Sequence, residues 1–126
     1  MYNAEYFIDN LRLIPHVEGG YYREIYKNIK QLGDRPLSTT IYYLLKSGQV
    51  SKFHKLLSDE IWFYHYGSPL IIHMIGISGE YCNYILGMDI VNQQKPQIIV
   101  PAGTIFGAEV MDINTFGLVS CMVSPG

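Results

Sequence analysis

From Thr39 onward the sequence is a succession of short apolar runs cut apart by turn residues, which leaves little room for helices and much for strands. The runs are Thr39 to Leu45, Val50 to Leu57, Glu60 to Tyr66, Leu70 to Ile77, Tyr81 to Ile90, Gln97 to Val100, Ile105 to Met111 and Phe116 to Val123. Between them stand Ser47-Gly48, Ser58-Asp59, Gly67-Ser68-Pro69, Ser78-Gly79, Asn92 to Pro96, Pro101-Ala102-Gly103 and Asp112-Ile113-Asn114. Many strands at short, regular spacing predict a β-sandwich or barrel. The eleven tyrosines, five phenylalanines and one tryptophan strengthen that reading, because aromatic residues favour strands. The alternative is an α+β domain with Tyr81 to Val91 helical, and Gly87 inside that segment argues against it.

The first part of the chain reads differently. Tyr6, Phe7, Asn10 and Leu11 fall at helical spacing behind Asn3, a good N-cap, so Asn3 to Leu11 predicts a short helix that Pro15 ends. Gly19-Gly20 marks a turn before a strand over Tyr21 to Tyr26, and the polar stretch Lys27 to Pro36 reads as a loop. A length of 126 residues predicts one domain, 1–126, able to fold without a disulfide or metal staple. Net charge is −2 with no run of one sign, so no nucleic-acid partner is expected. Met1 to Leu11 carries Glu5 and Asp9 rather than an apolar signal core, and no apolar run is long enough to span a bilayer. A cytoplasmic protein with no membrane partner is the expectation. Cys82 and Cys121 form no C-x-x-C and read as small core-facing hydrophobes.

The most informative stretch runs from Gly48 through His54, Leu56 and Glu60 to Gly67. Its spacing resembles the first cupin motif, G-x5-H-x-H-x3-E-x6-G, with Leu56 in place of the second histidine. The second motif is partly present: Pro101-Ala102-Gly103 supplies its P-x-G, while Lys95, Phe106 and Val110 replace its glycine, histidine and asparagine. Pro15-His16-Val17-Glu18-Gly19-Gly20-Tyr21-Tyr22-Arg23-Glu24, then Ser51, His54 and Ser58-Asp59-Glu60-Ile61-Trp62, then Pro96-Gln97 and Val100 to Thr104 with Phe106, resemble in order and spacing the Cupin_5 family, a domain of unknown function. That family often has a histidine after Ile-Trp, where this chain has Phe63 and a later His65. Its pattern also runs past V-x-P-G into an aromatic, acidic tail, whereas this sequence reaches Pro125-Gly126. The resemblance implies an all-β cupin double-stranded β-helix, or RmlC-like jelly roll, with a short N-terminal helix. It also implies a homodimer, since cupins commonly pair through their sheets.

The central spacing predicts a hairpin: His54 closes one strand, Ser58-Asp59 turns, and Glu60 opens the next, so both side chains face one barrel interior. Metal-binding cupins supply three histidines and a glutamate, but Leu56 and Phe106 cannot ligate. Parity turns His65 outward, and His16 could approach only from the N-terminal segment. No cofactor is therefore expected; a divalent metal is disfavoured, with His54 and Glu60 its only candidate ligands. Without metal, His54 suits a general base and Glu60 its orienting partner. The acid candidates are Tyr21, Tyr43 and Tyr64, with Tyr64 preferred because it shares Glu60's strand parity. Cupin sugar-nucleotide epimerases, which abstract a proton beside a carbonyl with a histidine and a tyrosine, give the analogy. Arg23 is a candidate anion contact, and Trp62, Ser51 and Tyr21 are candidate ligand contacts. Each has a plain competitor: Arg23 could pair with Glu18 or Glu24, the tyrosines and Trp62 could fill the core, and His54–Glu60 could be a structural hydrogen bond. The expected function is a small-molecule-binding cupin, as a metal-independent isomerase or epimerase on a sugar-like or carboxylated substrate. The alternatives are a ligand carrier without chemistry and a metal enzyme with an incomplete ligand set.

Overall fold

In the computed structural model, which describes residues 1–126, one helix precedes twelve strands. Helix α1 spans Ala4–Asn10, and Asn3 caps it by accepting the Tyr6 backbone N–H. The strands are β1 (Ile14–Pro15), β2 (Tyr21–Lys27), β3 (Gln31–Leu32), β4 (Arg35–Pro36), β5 (Thr39–Lys46) and β6 (Val50–Lys55). They continue with β7 (Asp59–Gly67), β8 (Leu70–Ile75), β9 (Tyr81–Leu86), β10 (Gln97–Val100), β11 (Ile105–Val110) and β12 (Phe116–Ser124).

Two sheets carry the fold. One has six strands in the order β1-β2-β5-β12-β7-β10, the other four in the order β6-β11-β8-β9. From β5 onward the chain passes back and forth between them, which is the two-sheet jelly-roll arrangement the runs predict. Side-chain alternation produces the core directly. Along β8, Leu70, Ile72 and Met74 are buried while Ile71, His73 and Ile75 are only half-buried. The inward set from both sheets meets in one cluster containing Tyr43, Leu45, Trp62, Ile98, Phe106, Val119 and Cys121. Each aliphatic side chain and the phenylalanine of this cluster contribute roughly 1.5–3 kcal/mol on full burial. The outer face of the six-stranded sheet has a second cluster, where Phe7 and Ile8 of α1 and the following Leu11 cover Leu44, Phe116 and Leu118. That is why the N-terminal segment is helical: its apolar stripe needs a face to lie on.

Four expectations are corrected by the structure. The stretch around Ser58 is not a hairpin, because β6 pairs with β11 while β7 pairs with β10 and β12. Leu56 to Ser58 therefore carries the chain from one sheet to the other. The Lys27–Pro36 loop contains the small β3–β4 pair, turning at Gly33-Asp34. The Tyr81–Ile90 run ends as a strand at Leu86 and is followed by a 3-10 turn, Ile90–Asn92. Cys82 is exposed, and only Cys121 is in the core.

Candidate functional site

The crossover places His54 and Glu60 on opposite sheets, with the barrel interior between them. His54 sits on β6 across from Phe106, and the two rings are 4.4 Å apart. Its Nδ1 lies 2.8 Å from the Lys52 carbonyl oxygen. A carbonyl only accepts, so Nδ1 carries the proton and the lone pair of the neutral ring is on Nε2. Glu60, early on β7 with Val100 and Val123 as its strand partners, is 8% exposed. The Trp62 indole donates to its Oε1 at 2.9 Å. Burial pushes the Glu60 carboxyl up to about 7, against the smaller downward pull of that indole hydrogen bond.

Between these two groups is a cavity of about 40 Å³, walled on one side by a loop from the N-terminal segment. His16 to Gly20 joins β1 to β2 and is pinned onto β5 and β6. Tyr43 Oη donates to the Gly19 carbonyl at 2.6 Å, and the Lys52 N–H donates to the Glu18 carbonyl at 2.8 Å. Gly19 has φ of 108°, and a Cβ there would lie 2.0 Å from the Val50 carbonyl oxygen, so the close approach requires glycine. The loop delivers His16 to the cavity wall, where its ring meets Tyr22 and Tyr43 at 4.7 and 5.7 Å. The Glu18 backbone N–H donates to His16 Nδ1 at 2.9 Å, which leaves the neutral ring's proton on Nε2. Burial lowers the His16 pKa, nearby His54 lowers it further, and Glu18 opposes them.

Tyr43 and Cys121 complete the chemistry of the wall. Burial pushes Tyr43 up to about 12, with the Ser51 hydroxyl pulling weakly the other way. Burial, then the Glu60 charge, raise the Cys121 thiol well above its ordinary value, so it is a poor nucleophile. Trp62 stands edge-on to both Tyr43 (5.9 Å) and Phe106 (6.4 Å), which fixes the indole that holds Glu60.

Of the residues singled out in the sequence, the structure brings His54, Glu60, Trp62, Ser51 and the acid candidate Tyr43 to this one cavity. It does not bring Tyr64, Arg23 or Tyr21. Tyr64 packs against the inner cluster as its parity requires, but its hydroxyl donates to the Gly67 carbonyl at 2.6 Å, outside the cavity lining. On β2, Tyr22 turns toward the inner cluster, so its neighbours Tyr21 and Arg23 face the other way. Tyr21 packs under α1, and Arg23 is exposed without an ion pair. His54 and Glu60 make no hydrogen bond to each other, since Glu60 is held by Trp62 and His54 by Lys52. Of the three acid candidates, the one at the cavity is Tyr43 rather than the preferred Tyr64, and the alternation of Ile41, Tyr43 and Leu45 along β5 turns it inward.

The residues do not fit a cupin-type metal ion. No three His, Cys, Asp or Glu side chains are grouped to hold one. Phe106, at 1% exposure, fills one ligand position of the motif, and Leu56 packs against the core at another. A larger groove of about 610 Å³ opens between β9 and β10, lined by Glu80, Cys82 and Lys95 among others. The smaller cavity is the better candidate, because both histidines and the buried carboxyl converge there.

Comparison with known proteins agrees with this architecture. The family model Cupin_5, described as Cupin superfamily (DUF985), matches residues 5–126. A solved structure of a Shewanella oneidensis protein superposes with a TM-score of 0.95 at 46% identity, covering 100% of this chain and 80% of that one. A hypothetical protein from Leishmania major gives 0.93 at 36% identity, covering 99% and 82%. An uncharacterized protein of Saccharomyces cerevisiae is 27% identical over 98% of this chain and 71% of its own length. Oxalate decarboxylase of Bacillus subtilis superposes at 0.67 with 14% identity over 90% of this chain and 27% of that one, which shows the cupin fold.

Proposed function

The chain belongs to the Cupin_5 family of the cupin superfamily, and from that premise we propose that it is a small-molecule-binding cupin whose cavity moves protons without a metal, as an isomerase or epimerase on a sugar-like or carboxylated substrate. The observation that carries this reading is the pairing across one cavity of a buried carboxyl titrating at about 7 with a histidine whose Nε2 lone pair is uncommitted. A carbon acid beside a carbonyl needs a base to take its proton and an acid to return one. His54 Nε2 takes the proton. Protonated Glu60, on the opposite sheet, returns one to the other face of the planar intermediate, which inverts the carbon. Solvent then resets both groups. In that direction the rate falls as pH rises above about 7, because Glu60 loses the proton it must give.

The test is deuterium incorporation from D2O into a panel of nucleotide sugars, free sugars and small carboxylates, read by proton NMR. Wild type exchanges at least one of them, and His54→Ala and Glu60→Gln each lower that rate about 10²–10⁴-fold. A wild-type protein that exchanges none sinks the catalytic reading. The small size of the cavity favours a second reading, ligand carriage without chemistry. On that reading His54→Ala weakens binding and there is no exchange to lose.

The same reading includes no resident metal. Protein purified without a histidine tag and offered iron, manganese, nickel and zinc is expected to retain well under one equivalent of each. Near-stoichiometric metal that disappears in His54→Ala would replace proton transfer with metal chemistry. The proposal also includes pairing of two copies, supported by exposed Phe53, Tyr81 and Ile105 on the outer face of the four-stranded sheet. No helix is long and apolar enough to cross a membrane.

A further inference from the structure

We infer that His16 is a catalytic residue of this cavity, a neutral imidazole whose Nε2–H binds the carbonyl oxygen of an uncharged α-hydroxy carbonyl substrate. The inference rests on the proton-transfer reading and narrows it to the sugar-like class. Three features carry it. The strap is built to bring this ring in: Gly19 permits the approach to Val50, and two hydrogen bonds to Tyr43 and Lys52 hold it down. The tautomer is set by the chain itself, because the Glu18 N–H occupies Nδ1 and leaves Nε2–H as the nitrogen available to a ligand. The third feature is charge. No lysine or arginine lines the cavity, and Arg23 stands on the far face of β2. An anionic reacting centre would find no counter-charge there, whereas a neutral carbonyl finds a donor. Burial lowers the His16 pKa and outweighs the opposing pull of Glu18, which suits an electrophile that must remain a neutral donor.

The step balances without a co-reactant. His54 Nε2 takes the proton from the carbon bearing the hydroxyl. The electron pair of that C–H bond moves to the carbonyl oxygen, where His16 Nε2–H stabilises the enediolate. Reprotonation at the same carbon epimerises, and reprotonation at the former carbonyl carbon, with proton transfer between the oxygens, isomerises.

The probe is dihydroxyacetone in D2O, with pyruvate as the charged comparison. Wild type is expected to exchange the dihydroxyacetone methylene protons faster than those of pyruvate. His16→Phe should lower kcat about 100-fold, as for loss of an oxyanion donor, with KM little changed. His16→Gln, which keeps a donor, should recover part of that loss. Equal losses in the two variants, or faster exchange of pyruvate, overturn the inference. If wild type exchanges neither compound, the proton-transfer reading fails, and the 15N resonance of His16 Nε2 in wild-type protein decides the donor role. Displacement of that resonance by dihydroxyacetone keeps the donor assignment, and no displacement overturns it.

Discussion

Glu60→Gln will stabilise the folded chain by about 3 kcal/mol at pH 8 and leave it nearly unchanged at pH 4. In the unfolded chain this carboxyl titrates at its model value of 4.5, and in the folded chain at about 7. Below 4.5 both states hold the proton, and the glutamate behaves like its amide. Between 4.5 and 7 the unfolded chain has released its proton while the folded chain keeps it, so wild-type stability falls as pH rises. Above 7 the folded chain must carry a charge that is buried with one indole hydrogen bond for compensation. Gln removes that cost and keeps the contact, because its amide oxygen accepts from Trp62 as the carboxylate does. Thermal melts at the two pH values read the difference, roughly 10 °C at pH 8 for a chain of this size. A variant no more stable than wild type at pH 8 would mean that the carboxyl is not held in its neutral form. The same substitution removes the proposed proton donor. Higher stability with lost exchange is the pattern expected of a residue kept at a cost to the fold.

Gly19→Ala should detach the strap. The backbone there is left-handed at φ 108°, and the added Cβ would lie 2.0 Å from a backbone oxygen of β6, which cannot move without disturbing the sheet. Lifting the loop breaks the hydrogen bonds that Gly19 and Glu18 accept from Tyr43 and Lys52. Tyr43 is 3% exposed, so its hydroxyl is left unpaired at a cost of about 1–3 kcal/mol. The expected result is a loss of about 3–5 kcal/mol in chemical denaturation, with the strand content by circular dichroism retained. Ligand binding or exchange at the cavity should fall with it, because His16 leaves the wall. Gly48→Ala is the control. It is also left-handed, at φ 85°, but its Cβ would meet nothing within 4 Å, so it should cost only about 1–2 kcal/mol. If both substitutions cost the same, the strap is not held by close approach.

The strand runs could be read because their breaks are chemical: Gly, Pro, Asn, Asp and Ser stand where the backbone must turn. Face could also be read wherever a run alternates, which is why Glu60, Trp62 and Tyr64 all point inward from β7. Sheet membership could not. Alternation says which side of a strand is apolar but not which strand lies beside it, so a crossover at Leu56 to Ser58 looks the same as a hairpin. Inward parity also stops short of the cavity: Tyr64 faces the core yet spends its hydroxyl on Gly67. In Tyr21-Tyr22-Arg23-Glu24 no alternation exists to choose a face, and the choice is made by Tyr43, the strand partner of Tyr22. His16 belongs to a visible signature, but its place over the cavity depends on contacts with Val50 and Lys52, far along the chain.

One contact inside the barrel has a practical side. Trp62 is the chain's only tryptophan, it is 2% exposed, and its indole N–H is bonded to the one carboxyl that titrates near neutrality in the cavity. A charge appearing at the end of an indole's dipole alters its emission. The intrinsic fluorescence of this protein is therefore an unlabelled optical record of Glu60's ionisation, and of anything that enters the cavity and changes it.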